Sequence, residues 1–565
     1  MARIRCLCPY FCSIKLWWAQ TSLRCLIFTT AAVLFCVALS MAVMETIHSW
    51  RNKENDLTHW NPKYRRKPAT IDEPTDVKDP SLHYGIVIDC GSSGSRVYIY
   101  FWPTHSGNPK DLLDIQPMRD EDGKLINKKI QPGLSEYADR PSEASIYMKP
   151  LLDYASQFVP ESKHKETPLY ILATAGMRLL SLSEQNGILE ELRQDIPREY
   201  SFLVAENHFE VITGKQEGVY SWVAINFVLN KFVHGEEEHP LVAVHVPGVG
   251  SNGRPSPHIR RRTVGMIDMG GASVQIAFEV PNTVRYETTK EKEISKNLLA
   301  EFNLGCRQSD LDHTYRVYVT TFLGYGANEA RERYEMMLIK PHLSKSHNST
   351  SIGRSKELPL LDPCLPVNMI QQSDDPVDDV TLYFKGTGDF LACRAAVMPL
   401  LNLTVPCQKF MCSMNGVFQP DINFHNSEFF GFSEFWYTTE DVFRMAGPYN
   451  SDKFVGAAKN YCNTEWSTLM DWYERKLYPK ADQQRFRLQC FKSAWIHAVL
   501  HDGFKFPTTY TNFRSAQLVN GKDVQWTLGA LIYRTRFIPL REIEKHEASV
   551  EAVPVKRSSV FYPNT

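Results

Sequence analysis

The chain has 565 residues, 43% hydrophobic and 22% charged, and its 63 Lys and Arg against 64 Asp and Glu leave a net charge of −1. That balance gives no basic footprint for nucleic acid, and the length exceeds what one small core fills, so two lobes are expected. Neither paired CxxC motifs of a zinc site nor a long low-complexity tract occurs.

In chain order, Cys25 to Met44 carries no charged side chain, about the length of a membrane-spanning helix. Arg3, Arg5, Lys15 and Arg24 precede it without an acidic residue and favour a cytoplasmic N-terminus: a tail over 1–24, an anchor over 25–44 and the remainder in a lumen. Arg51, Lys53 and Lys63 follow on the other side, and a cleaved signal peptide ending near Ala38-Leu39-Ser40 is the competing reading. Residues 45–82, charged and proline-bearing, read as a stalk.

The folded part opens with Gly85-Ile-Val-Ile-Asp-Cys-Gly-Ser-Ser-Gly-Ser-Arg-Val-Tyr-Ile-Tyr100. Runs of β-formers flank a loop from Asp89 to Arg96, which predicts a hairpin whose tip holds glycines, hydroxyls, a carboxylate and an arginine. Glycines admit an anion close to backbone N–H groups, so the tip is either a phosphate cradle or an ordinary turn. Helical spacing then predicts helices over 144–159 and 183–195, with a strand at 168–173 running into a small-residue loop ending at Arg178. A strand from Phe209, a glycine turn and a helix through Phe227 continue the alternation, which argues an α/β fold.

Residues 234–262, ending in Arg260-Arg-Arg262, read as an exposed excursion, the arginines solvated, with a processing site or a ligand patch as the alternatives. Immediately after, Gly265-Met-Ile-Asp-Met-Gly-Gly-Ala-Ser-Val-Gln-Ile-Ala-Phe278 repeats the first design, with Asp268 lying 179 residues beyond Asp89. Two such loops facing each other would grip a phosphate chain from both sides, and the aspartates would hold a hydrated Mg²⁺ or Ca²⁺, since hard cations take oxygen ligands and keep waters. Phe429–Tyr437 is rich in aromatics that fill a core, one or two of them free to stack on a planar base. Residues 526–532 read as a closing helix, and the tail beyond Arg541, charged and proline-containing, as no second span. Asn348 and Asn402 head glycosylation triplets, and six of the eight cysteines beyond the anchor cluster from Cys364 to Cys490, which suits local disulfides in an oxidising compartment.

With these residues in place, the chain resembles the nucleoside triphosphate diphosphohydrolase (apyrase) family over about residues 84–540. Five motifs carry the resemblance in order: Asp89–Arg96, Ala173–Arg178, Gly214–Tyr220, Asp268–Gln275, and Ser413–Phe418 with Phe429–Tyr437. Lys163–Tyr170, Phe302–Cys306 and Gln525–Gly529 are most similar to the Golgi and endolysosomal branch. The resemblance implies an actin-like, two-lobed fold of ribonuclease-H type with the site between the lobes: lobe I over 83–212 plus 525–545, lobe II over 213–524, and a tail over 546–565.

It further implies site roles. Glu217 would be the base that activates water, where a helix-start carboxylate would otherwise be the plain reading, with Ser273 and Gln275 helping to hold that water. Ser92, Ser93, Gly94, Ser95 and Arg96 would bind phosphate from one side, and Gly270, Gly271 and Ala272 from the other. Asp89, Asp268 and Thr174 would act on Ca²⁺ or Mg²⁺ through waters, Arg178 would be structural, and Phe430 falls where many relatives stack a tyrosine on the base. The implied disulfides are Cys364–Cys393, Cys407–Cys412 and Cys462–Cys490, with Cys90 and Cys306 outside them and Cys90 a small buried residue, not a nucleophile. Gly94-Ser95 stands where many cell-surface relatives have His-Thr; the lost imidazole is expected to open that loop and affect the choice between di- and triphosphates.

The implied activity is hydrolysis of UDP and GDP, extending to triphosphates, by a single-anchor enzyme of the Golgi lumen whose oligomeric state is open. The alternatives are an endolysosomal, cell-surface or secreted triphosphatase, a sugar kinase or chaperone-like ATPase on the same fold, and an inactive binding protein. A water-activating Glu217 argues against the kinase, and the full set of reactive side chains against the last.

Overall fold

The β-formers around the first Gly/Ser loop do form a hairpin, but its strands run further into the loop than expected. Leu82–Gly91 pairs antiparallel with Gly94–Pro103, which leaves only Ser92 and Ser93 in the turn and sets Asp89 opposite Arg96. This computed structural model describes residues 73–108, 111–233, 241–245, 257–280, 297–307, 313–342, 352–373, 381–407, 412–540 and 544. The expected anchor, most of the stalk, Asn348 and the 546–565 tail lie outside them; among the described residues no helix is long and apolar enough to cross a membrane.

Leu82–Gly91 pairs on its other edge, in parallel, with Leu169–Ala173, and that strand with Phe209–Val211. Gln116–Pro117 and Asn127–Ile130 add to the far edge of Gly94–Pro103 and complete a six-stranded sheet. Strand alternation divides its side chains between two cores. Ile86, Ile88, Val97 and Ile99 pack on one face against the helices Ala144–Phe158 and Leu182–Glu199, the second started by a capping box between Ser181 and Glu184. Val87, Tyr98 and Tyr100 face the other way.

The second hairpin, Gly265–Met269 with Ser273–Glu279, is the centre of a seven-stranded sheet and repeats the plan. Its aspartate strand again has an antiparallel hairpin partner on one side and a parallel neighbour, here Phe429–Ser433, on the other. Ile267, Val274, Ile276 and Phe278 pack outward on a core with Phe454, Phe491 and Trp495 from the helices Ser451–Cys462 and Gln483–Ala498, while Met266, Ala277, Val317 and Val319 face inward.

Between the two inner faces run two helices, Gly214–Val228 and Trp526–Thr535, and they share one core with both sheets. They meet so closely that a Cβ on Gly529 would lie 1.8 Å from the Tyr220 carbonyl oxygen. Mixed α/β architecture and duplicated hairpins agree with the expectation. The implied disulfides form: Cys364–Cys393, Cys407–Cys412 and Cys462–Cys490.

The excursion at 234–262 is corrected in part. Leu241–His245 and Pro257–Arg261 pair as an antiparallel ribbon, and Arg260 and Arg261 are 5% and 8% exposed. Arg260 pairs with Glu279 and lies over the Tyr315 ring, and Arg261 donates to the Asn230 carbonyl. A guanidinium fork can satisfy carbonyls and a carboxylate at once, so these arginines staple the ribbon to the body instead of solvating a loop. Of the two glycosylation triplets, Asn402 is described. It sits half-exposed in a left-handed turn, its Nδ2 donating to Asn415 Oδ1 at 2.7 Å.

Candidate active site

The inner faces border a cleft of about 490 Å³ into which both Gly/Ser loops open. Asp89, Ser92, Ser93, Gly94, Arg96 and Thr174 line it from the first sheet, Asp268, Gly270, Gly271, Ala272, Ser273 and Gln275 from the second. Alternation explains the gathering: Asp89 follows Val87 on the inner face of its strand, and Ser273 and Gln275 alternate with outward Val274 and Ile276. The loops nearly touch, since a Cβ on Gly271 would lie 3.0 Å from Ser92 Oγ and 2.9 Å from Asn328 Nδ2. Behind the second loop, the N-terminus of Ala327–Ile339 donates Ala327 N–H to Gly270 O and Asn328 N–H to Gly271 O, at 3.0 and 2.9 Å. That helix therefore spends its free N–H groups bracing the loop.

Glu217 lies in the first turn of Gly214–Val228, which Thr213 and Gln216 start with a capping box, and its side chain is 12% exposed. Its Oε2 accepts from Arg178 Nη2 at 2.8 Å and from Gln275 Nε2 at 3.0 Å; Gln275 Nε2 also reaches Ser273 Oγ at 2.8 Å. Arg178, expected to be structural, thus pairs with Glu217 directly, held by Ile212 O at 3.0 Å and lying 3.3 Å from Ser273 Oγ. Both bonds to the carboxylate fall on Oε2, and among the described residues Oε1 accepts none. Burial raises the Glu217 pKa, Arg178 opposes that rise, and the charge of Asp268 adds to it.

Asp89 and Asp268 are equally instructive. Burial pushes Asp89 up to about 7, Glu217 adds to the rise, and Arg96 and a hydrogen bond from Trp526 oppose it. Asp268 is likewise raised by burial, with a hydrogen bond from Ser433 opposing. Oδ1 of each aspartate is buried with no hydrogen-bond partner. The charge of Asp268 also adds to the rise at Asp89, and buried, orphaned carboxylate oxygens of this kind are suited to a hard divalent cation. Among the described residues no cluster of three or more His, Cys, Asp or Glu could ligate one directly, so Asp89 and Asp268 fit a cation whose other positions are water and phosphate.

Three expectations are corrected. Ser95 does not line the cleft: its hydroxyl points into the first lobe and accepts from Tyr147 OH at 3.0 Å. Asp89 and Arg96 share the inner face of a paired strand, so the residue before Arg96 must face the other way. Phe430 is 8% exposed in the shared core, stacked on Phe432; the aromatic residues lining the cleft include Phe432, Trp436, Tyr437 and Trp526. Gly94 does not open the loop, because a Cβ there would lie 2.4 Å from Ile130 O, with Lys129 Cε at 3.1 Å. The edge strand Asn127–Ile130 fills the space a larger residue would need.

Motif reading missed several lining residues. Lys129 overhangs the first loop from the edge strand, and Asn328 stands over the second. At the far wall Glu434 takes Lys492 and Arg485, each at 2.9 Å; burial alone would raise its pKa, but the two cations hold it below the ordinary range. Cys90 lies beside Asp89 but is 1% exposed, and burial drives its thiol well above the usual value. A protonated thiol packed behind the loop is no nucleophile. Cys90→Ala is therefore expected to keep turnover within about twofold of wild type in a phosphate-release assay; a loss like that of Glu217→Gln would contradict this.

The model of the GDA1/CD39 (nucleoside phosphatase) family matches residues 76–551. The chain is 50% identical to mouse ectonucleoside triphosphate diphosphohydrolase 4 over 91% of its own length and 82% of that protein. It is 49% identical to human ectonucleoside triphosphate diphosphohydrolase 7 over 87% and 80% of the two chains, and 39% identical to the nucleoside-diphosphatase mig-23 of Caenorhabditis elegans over 83% and 80%. A crystal structure of nucleoside triphosphate hydrolases from Neospora caninum shares the fold, with a TM-score of 0.53 at 16% identity over 89% of this chain and 98% of that one. The family model and this extent of sequence identity agree: the chain belongs to the GDA1/CD39 nucleoside phosphatase family and hydrolyses phosphoanhydride bonds.

Proposed function

We propose that the protein removes the terminal phosphate of nucleoside diphosphates, UDP and GDP first, in the Golgi lumen, to which residues 25–44 anchor it. One observation carries the mechanism: Glu217 is tied through Oε2 alone, so Oε1 is left to take a proton from, or orient, a water between the two loops. Ser273 and Gln275, bonded to each other and to that carboxylate system, hold the water in line. Backbone N–H groups at Ser92–Gly94 and at Gly271 and Ala272 receive the phosphate oxygens, the Gly270 N–H being spent on Ser273 O at 3.0 Å, with Arg96 as a further cation. Asp89 and Asp268, with Thr174 beside them, would hold Ca²⁺ or Mg²⁺ through water, and the cation would supply charge neutralisation at those oxygens. No side chain needs to attack phosphorus. A diphosphatase here would clear the nucleotide that glycosyl transfer releases.

Relatives whose names carry triphosphate favour a second reading, a triphosphatase of endolysosomal or surface membranes. Phosphate release by the detergent-solubilised full chain from UDP, GDP, ADP, CDP and UTP, with Ca²⁺ in the millimolar range, separates the two. Faster release from UDP and GDP than from UTP is expected; no release from any diphosphate would overturn the proposal.

A further inference from the structure

The Phe429–Ser433 strand passes into the Glu434–Glu440 helix without a loop, and Ser433 makes the turn at φ 55°, ψ −115°. Residues with a Cβ rarely adopt this conformation, and it persists only where the surroundings enforce it. Two residues earlier stands Gly431, whose Cβ would lie 2.5 Å from Phe513 Cζ and 2.9 Å from Phe435 Cβ, so strand and helix close more tightly than a side chain allows. A glycine, one residue and a serine on a sharp strand-to-helix turn form an elbow that lifts the hydroxyl above the sheet. Where such a serine is a nucleophile, a histidine activates it. No histidine lines this cleft, and this elbow opens into it beside the carboxylate of Asp268.

Register explains why the turn is needed. Phe432 is the parallel partner of Asp268, and Ser433 of Met269. In a continuing strand Ser433 would face away from Asp268, because successive side chains alternate. The positive φ breaks that alternation, so that Ser433 and Asp268 line the same cleft, with Oδ1 of Asp268 buried and unpartnered. The duplicated plan offers an independent comparison. In the first sheet the parallel neighbour of the Asp89 strand ends in the turn at Ala173-Thr174 and enters the short helix Ala175–Arg178. There Thr174 lines the cleft but its hydroxyl donates to the Cys90 carbonyl oxygen at 3.4 Å, and register makes Ala173 the counterpart of Ser433, so a hydroxyl beside the aspartate at this position is particular to the second sheet.

We infer that Ser433 is a positioning residue, whose hydroxyl donates to Asp268 and fixes the direction of the free Oδ1 toward the cleft. It thereby sets the second sheet's half of the cation-binding arrangement, and this rests on the proposed role of Asp268 in holding a cation through water.

The test uses the full chain in detergent, titrated with Ca²⁺, reading the rise in thermal unfolding temperature and, separately, phosphate release from UDP. Ser433→Ala deletes the hydroxyl and keeps the backbone demand; Ser433→Gly deletes the hydroxyl and relieves it. Loss of a group that orients a cation-holding side chain costs about ten- to hundredfold in affinity, so both variants are expected to need that much more Ca²⁺ for the same thermal shift and half-maximal rate. Without Ca²⁺, the glycine variant should unfold no earlier than the alanine variant. A wild-type Ca²⁺ requirement in Ser433→Ala overturns the inference. So does impairment in Ser433→Ala that Ser433→Gly restores, because the turn and not the hydroxyl would then matter. Wild-type protein that neither responds to Ca²⁺ nor releases phosphate would instead refute the proposed function.

Discussion

Replacing Glu217 with glutamine is expected to lower kcat by about a thousandfold, within the range a positioned acid–base group contributes, while the fold stays intact. The amide keeps the size of the carboxylate and an oxygen for Arg178 and Gln275, so the cap, the helix and the loops have no reason to move. It cannot take a proton from water. The charge change has opposing effects on stability. Arg178, 14% exposed, loses its ion-pair partner but keeps the Ile212 carbonyl; Asp89 and Asp268 lose a repulsive neighbour. These terms act against each other, and thermal unfolding should change by only a few degrees. Rates and unfolding curves measured on one preparation decide the matter. More than a tenth of the wild-type rate in Glu217→Gln would show that the base lies elsewhere, and a large drop in unfolding temperature would make Glu217 a structural residue first.

The second large effect is expected far from the phosphate loops. Gly529→Ala places a methyl group 1.8 Å from the Tyr220 carbonyl oxygen and 3.0 Å from the Ala224 nitrogen. Neither is the end of a flexible side chain. The clash is backbone against backbone along the contact of Gly214–Val228 with Trp526–Thr535, so the helices must separate. Overpacking a well-filled core costs typically 1–3 kcal/mol, and a rigid contact lies at or above the upper end, so a loss of about 3 kcal/mol is expected. Activity should fall as well, because one of the two displaced helices carries Glu217 and the other carries Trp526, which lines the cleft with Asp89. Thermal unfolding and phosphate release of Gly529→Ala, alongside an alanine at the half-buried Gly456, where nothing lies within 4 Å of an added Cβ, provide the check. Equal unfolding temperatures in the two variants would mean that the helix contact is softer than the geometry shows.

Much of this site was legible in the sequence because its chemistry is carried by local patterns. A β run, an aspartate, glycines and a serine, written twice, specify two hairpins that backbone geometry nearly forces. Glu217 was legible through its motif, and the helix caps that place it use short-range rules. Other features depend on partners distant in the chain. Phe430 and Phe432 look equivalent in an aromatic run; which of them reaches the cleft depends on pairing with Gly265–Met269, more than 160 residues earlier. Ser95 seemed one more loop hydroxyl until the strands proved to extend to Gly91 and Gly94, fixing its side chain away from the substrate. Arg260 and Arg261 read as solvent-seeking until Glu279, Tyr315 and the Asn230 carbonyl came to meet them. Gly94 seemed to mark an absent side chain, whereas Ile130 from another strand already occupies that space.

The helix pair between the sheets also constrains the order in which a ribosome can deliver this enzyme. Gly214–Val228 leaves the exit tunnel some 300 residues before Trp526–Thr535, the element that completes its packing. Until then Tyr220, Val223 and Ala224 lack their final cover, and the helix bearing Glu217 has only part of its core. The nascent chain must carry a half-covered apolar surface through most of synthesis, while three disulfides in the intervening stretch close. Catalytic competence is thus deferred to the last helix, so an interrupted product has no assembled site with which to hydrolyse nucleotide in the compartment where it is made.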